Sequence, residues 1–494
     1  MKCSMLYKLS YTYLCLPLFL FLITWLDFGV GLVLAILFGS GFYKLYKNID
    51  DNEVIVIDKK AWGIIFLIAG LWCFLGGIGY FYYQSFDYHF RNAVFRDLIN
   101  YDWPVFYDRA NTPLVYYMGF WLVPALVGKF LVLIGATNQG AFLGANVFLL
   151  IYAIFGVVLI FVNLIKAVGV KSLGKIFVAL LLFVLFSGMD IVGQKFFLVG
   201  KPPFLYHLDW WASFMQYSSH STSMFWVFNQ FIPACLIVLI FYNERNIKSF
   251  GFLVAVSLFF APYPTAGIGF FMVVYALREF LRAESKKEFL EQNIFSVVNL
   301  IGVFWILPVI ILYFITNSEG MYGYYNVFDY TSVKMLMVFL LLEFLIYAIL
   351  ILPKYKNNWI FYAVVLSLCL IPFLRLDQQN NFCMRSSIPI MIILTVLIEK
   401  FIFEEKFSIR KGILVFCIII GMFTPFYEFY RGFHYVIEAK KLNLVADEIY
   451  TLNNKFIRMP LFFYDVNHQF TAKEYKEDLF WQFLAKKTPG LNVK

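Results

Sequence analysis

Between Gln84 and Pro113 the sequence QSFDYHFRNAVFRDLINYDWPVFYDRANTP places Asp87, His89, Arg91, Asn92, Arg96, Asp97, Asp102, Asp108 and Arg109 between strongly apolar stretches. Asp87 follows an apolar run by only a few residues, which sets it near the level of lipid headgroups. A carboxylate there is placed to act as general base on an acceptor hydroxyl, or to hold a divalent cation against a phosphate. The plainer role is a helix cap or a topology charge. A helix from Asp87 to Asn100 would pair Asp87 with Arg91 and Asn92 with Arg96 at i, i+4, beside an apolar flank of Phe90, Val94 and Leu98. Such a helix lies on the outer membrane face, turning its polar side to a cavity or simply carrying its own salt bridges.

A second polar cluster comprises Arg375, Asp377, Gln378, Gln379, Asn380, Asn381 and Arg385. Arg385 falls inside an apolar run, where an arginine needs a polar cavity or an anion to face. Guanidinium groups bind phosphate oxygens bidentately, so Arg375 and Arg385 are candidates for a phosphate clamp. Pairing with Asp377 and snorkelling are the structural alternatives. A third cluster joins Asp209, Trp210, Trp211, Gln216 and His220 to Asn229 and Gln230. Rings with amide and imidazole groups suit a sugar, although tryptophans at a membrane interface need no ligand. Glu343 and Asn163 stand alone in apolar runs and read as interhelical hydrogen-bonding groups.

These residues are set in a chain of 494 residues, 62% hydrophobic and 14% charged, too apolar for a soluble protein of several domains. Repeated apolar windows of about 18 or more residues predict an all-α, polytopic transmembrane bundle rather than a barrel. The net charge of +9 comes from basic residues at the ends of apolar runs. That pattern sets topology and gives no reason to expect nucleic acid as a partner. Cys3, Cys15, Cys73, Cys235, Cys369, Cys383 and Cys417 show no CxxC spacing and read as packing residues. The first apolar run lacks a small-residue cleavage site and reads as a retained span.

The expected spans begin with two across residues 9–43, turning at Asp27 to Gly29, and a third at 61–83. Segments 114–135 and 141–165 would put Lys166, Lys171 and Lys175 outside if both crossed. One is therefore expected to be re-entrant or interfacial, and Pro113, Pro124, Gly128 and Lys129 point to the first. Spans at 176–192 and 224–242 flank an outer loop, 193–223. Residues 249–282 read as two short helices broken at APYPT, and further spans follow at 292–316, 334–352, 357–375, 382–402 and 412–428. The total is about thirteen. On this reading residues 1–428 form the membrane domain with a cytoplasmic N-terminus, and 429–494 form a small extracytoplasmic tail domain.

Walker A, GxSxG, HExxH, GxGxxG and zinc-ligand spacings are absent from the sequence. The architecture, with Asp87 opening a large first outer loop, resembles the GT-C class of membrane glycosyltransferases. The resemblance implies a sugar taken from a polyprenyl-phosphate donor and passed to an envelope glycan or glycolipid on the outer face of a bacterial plasma membrane. It makes Asp87 the catalytic base or metal contact, with Asp97 and Asp102 as possible second carboxylates and room for a divalent cation. Arg375 and Arg385 would hold the phosphate. His89, Arg91, Asn92, Arg96, Gln216, His220 and Asp377 would line the substrate. The sequence departs from the class in lacking paired acids in that loop and in carrying extra spans before it. A polysaccharide polymerase and a lipid-linked glycan flippase are the alternatives. DYHFRNAVFRDL, FWVFNQ and NNFCMRSSIP also resemble segments of bacterial surface-polysaccharide membrane proteins.

Overall fold

A computed structural model describes residues 1–49, 53–85, 87–197, 207–317, 328, 331–376, 380–440, 451–455 and 469–488. Among these residues nine helices are long and apolar enough to cross a membrane. They are α1 (Cys3–Thr24), α2 (Phe28–Asn48), α6 (Asn138–Val168), α9 (His220–Glu244), α11 (Pro262–Arg282), α12 (Val297–Ile315), α13 (Val333–Tyr355), α15 (Asn381–Glu404) and α16 (Ile409–Ala439). Shorter helices complete the bundle: α3 (Lys59–Leu75), α4 (Tyr88–Asn100), α5 (Gly119–Leu133), α7 (Leu173–Val184), α8 (Asp190–Phe196), α10 (Phe250–Phe260) and α14 (Trp359–Phe373). The chain is therefore a helical, multi-pass membrane protein. Its paired strands, among the described residues, are the two-residue β1 (Phe106–Tyr107) and β2 (Thr112–Pro113).

Turn residues with short oxygen side chains set several of the helix starts. Asp58 caps α3 by accepting from Ala61 N at 2.7 Å, Thr137 caps α6 through Gly140 N, and Ser219 caps α9 through Thr222 N. One end of the bundle gathers the basic turns. Lys166 pairs with Glu53 at 3.1 Å, Lys400 donates to the Ala167 carbonyl, and Lys354 pairs with Glu404 at 2.7 Å.

The 31-residue α6 ends at the basic end and extends about 46 Å along its axis. Phe120, in the first turn of α5, packs 5.3 Å from Tyr152, halfway along α6. A Cβ added at Gly128 would lie 3.1 Å from Ala145 Cβ, and one at Gly144 would lie 2.5 Å from Leu131. The fifteen-residue α5 thus runs antiparallel to the far half of α6 alone.

Three other expectations are corrected. The run 176–192 holds a twelve-residue helix, α7, a break at Leu185 to Met189, and then α8. The APYPT segment separates an eleven-residue α10 from a full-length α11 rather than two short helices. The boundary at 428 falls inside α16, which runs on to Ala439. The described part of the tail lies against the bundle, with Leu26 bridged to Ala485, Leu114 to Thr471 and Asn317 to Ala472.

Candidate functional site

Asp87 and Arg91 form the ion pair their spacing predicts, at 3.0 Å, but the helix that carries them is not a surface helix. Phe90, Arg91, Asn92, Val94, Asp97 and Leu98 of α4 are all buried, under α5, α6 and the tail. Arg91 is 4% exposed, whereas the Asp87 side chain is 45% exposed. Burial alone would lower the Arg91 guanidinium, yet Asp87 and the phenols of Tyr116 and Tyr88 outweigh it and raise it above its ordinary value. Helix α9 breaks at Val227 (φ −138°, ψ 40°), and the Trp226 carbonyl beside the break accepts from Arg91.

The late arginine comes to the same place. Arg385 Nη1 donates to Tyr117 Oη at 3.0 Å, and the Tyr117 ring packs tilted against Tyr116 with centroids 4.0 Å apart. The phenols of Tyr116 and Tyr117 lie within electrostatic reach of both Arg91 and Arg385. Tyr263, placed by the break before α11, faces Arg385 as well. Arg385 Nε is buried with no hydrogen-bond partner, and no carboxylate among the described residues pairs with Arg385. Two guanidiniums therefore surround one phenol pair, and a single, half-exposed carboxylate pairs with Arg91. Such a site carries net positive charge and unused donors, and it can take an anion with bidentate geometry. It lies just before α5, level with the middle of α6.

Other predicted residues lie elsewhere. Asn92 donates to Gln84 Oε1 at 2.8 Å, and Gln84 donates to the Gly77 carbonyl, so Asn92 fixes the loop after α3 rather than pairing with Arg96. His89 is partly exposed, two residues before Arg91 and so on another side of α4. Asp97 is fully buried and accepts from Leu452 N at 2.8 Å. Burial pushes its carboxyl up to about 7, against the pull of that N–H. Its role is to join α4 to the tail, with Arg96 beside it. Asp102 is exposed. The three acids do not converge, and no group of three or more His, Cys, Asp or Glu among the described residues is placed to hold a metal ion. A divalent cation, for which the resemblance left room, meets no fitting ligand set there among the described residues.

Arg375 does not join Arg385. Its guanidinium covers the Phe214 ring at 3.8 Å, beside a small surface pocket lined by Ser213, Met215, Thr331 and Asn380. Gln216 donates to Ser218 Oγ at 2.7 Å, and its carbonyl faces Cys383 Sγ. His220 is buried among Phe183, Phe186 and Phe231 and bonds through Nδ1 to the Phe183 carbonyl at 2.8 Å, which makes it a packing residue. Asp377 lies outside the described residues.

Sequence reasoning missed a second buried polar group. Glu343 is not isolated. Its Oε1 accepts from Trp211 Nε1 at 2.9 Å, and its carboxyl lies within electrostatic reach of Asp190. Asp190 Oδ2 takes the hydroxyls of Ser187 at 2.7 Å and Thr424 at 2.8 Å. Close by, His207, Glu428 and Arg431 form a buried triad, with Nδ1 of His207 2.7 Å from Glu428 and Arg431 2.9 Å from the same carboxylate. Glu343 was visible as a charge in an apolar run. Its partners come from a helix break, a loop and another helix, which no local pattern links.

No protein family, no curated protein and no solved structure matches the chain.

Proposed function

We propose that the protein is a membrane glycosyltransferase that takes a sugar from a polyprenyl-phosphate donor and passes it to an envelope glycan or glycolipid. The observation that carries this reading is the meeting of Arg91 and Arg385 around Tyr116 and Tyr117, with Asp87 paired to Arg91. An uncompensated arginine in a span disfavours insertion by about 2.5–3.5 kcal/mol, so an anionic ligand is its natural counterpart. A lipid phosphate leaving group needs charge stabilisation more than covalent help, and two guanidiniums supply it. Asp87, half exposed, would draw the proton from the acceptor hydroxyl. On this reading the basic end of the bundle faces the cytoplasm and the end bearing residues 84–113 faces outward.

The flippase alternative draws on a different observation, the carboxyl groups near the middle of α13. A polysaccharide polymerase has no feature of its own in its favour. Purified protein in detergent, given a polyprenyl-phosphate sugar and an acceptor, should release polyprenyl phosphate. Asp87→Asn should abolish release while leaving donor binding intact. Unimpaired release from that variant would sink the assignment.

A further inference from the structure

Glu343 sits near the midpoint of the 23-residue α13, in a wide turn spanning Leu341–Leu345. Wide turns of this kind recur at functional positions in helices. Glu343 Oε2, Asp190 Oδ1 and Asp209 Oδ2 are buried and make no hydrogen bond, although their residues are no more than 1% exposed. The space Oε2 occupies exists because residue 188 is glycine, since an added Cβ would collide with it.

The other oxygen of each carboxyl is used. Trp211 holds Glu343, Ser187 and Thr424 hold Asp190, and Ser219 N donates to Asp209 Oδ1 at 3.2 Å. Asp190 lies within electrostatic reach of both Glu343 and Asp209. Glu428 faces Asp209 in turn and bonds to His207 and Arg431. From the remaining packed elements, Tyr347, Tyr217 and Cys383 face Glu343 and are uncharged donors or thiols. Four carboxyls thus meet one guanidinium in an interior where charge is poorly screened, which favours a proton held among them.

We propose that Glu343, Asp190 and Asp209 form an internal proton-binding site, occupied at neutral pH and exchanging with the surroundings through Glu428 and His207. The ligand is a proton rather than a metal ion because the nearby hydroxyls already donate to Asp190. In addition, the described residues offer no set of three ligands placed around a cation. Only protons move along this path, from carboxyl to carboxyl to imidazole, so no other reactant is needed. Burial and the neighbouring Asp190 push the Asp209 carboxyl well above the usual carboxylate range, in keeping with that occupancy. The site does not rest on the transferase reading.

Infrared spectroscopy of the full-length protein in lipid vesicles tests it. The native protein at neutral pH should show the carbonyl stretch of a protonated acid that Glu343→Gln lacks, a loss of about one acid equivalent. The band should shift in heavy water and bleach as pH rises. The difference between native and variant removes any band from other buried acids such as Glu399. Asp190→Asn is the second variant should Glu343→Gln fail to fold, and must show the same loss. Loss of ionised-carboxylate bands alone would overturn the proposal. A band indifferent to heavy water and pH would do so too, as would stabilisation by sodium or magnesium chloride seen in the native protein and absent from the variants.

Discussion

The bundle contains two buried polar regions of opposite sign, and they are built differently. The arginine site draws Arg91 from a helix after α3, Tyr117 from the strand-to-α5 connection and Arg385 from the start of α15, leaving donors unused. The carboxyl site draws Glu343, Asp190 and Asp209 together and leaves acceptors unused. Unused donors call for an anion and unused acceptors for a proton or cation, because an unmet buried polar group costs about 1–3 kcal/mol and more when charged. Each region is thus read from what it lacks. The first lies where residues 84–113 return to the bundle, and the second where α7 fails to continue as a helix.

The sharpest way to separate the regions is to remove one cation and one acid. Arg385→Gln should lower transfer by at least about 100-fold, as removal of a charge-stabilising donor does, while Glu343→Gln leaves donor affinity unchanged. Loss of donor binding in both variants would merge the regions into one. Next in size is Gly188→Ala, whose Cβ collides with Glu343 Oε2. Overpacking should destabilise by about 1–3 kcal/mol. Thermal unfolding should then show partial recovery in the Gly188→Ala, Glu343→Ala double variant, since the second change vacates the space. Additive losses would mean the carboxyl is not the group that glycine accommodates.

Asp97 lies outside both regions and gives a pH signature of its own. Its folded value, about 7, exceeds the ordinary 3.8. The folded protein therefore holds a proton that the unfolded chain releases, and stability falls as pH rises from about 4 to about 7 and is flat above. Asp97→Asn should remove that slope. A slope unchanged in the variant would assign it to other acids. The smallest effect belongs to exposed Asp102, where alanine should change stability by no more than about 0.5 kcal/mol and leave transfer intact.

The sequence exposed what is periodic or punctuated. Long apolar runs marked the spans, Asp27 marked a turn, and the i, i+4 spacing of Asp87 and Arg91 anticipated their ion pair. What the pattern concealed is tertiary. Apolar composition cannot distinguish a span from the twelve residues of α7, since both bury against protein or lipid. An amphipathic α4 looked like a surface helix because the chain that covers it, including residues 451–455 and 469–472, is hundreds of positions away. Arg375 and Arg385 are neighbours in sequence yet face different partners. Glu343 looked solitary because Asp190 and Trp211 reach it from segments with no periodicity of their own.

The central claim is that Arg91 and Arg385 act on one anion. Affinity for a polyprenyl monophosphate, measured for the native protein, Arg91→Lys, Arg385→Lys and the double variant, tests it most directly. One shared site predicts that the second substitution costs far less than the first, with an interaction energy of about 1 kcal/mol or more. Strictly additive losses, or affinity indifferent to both substitutions, would contradict the account.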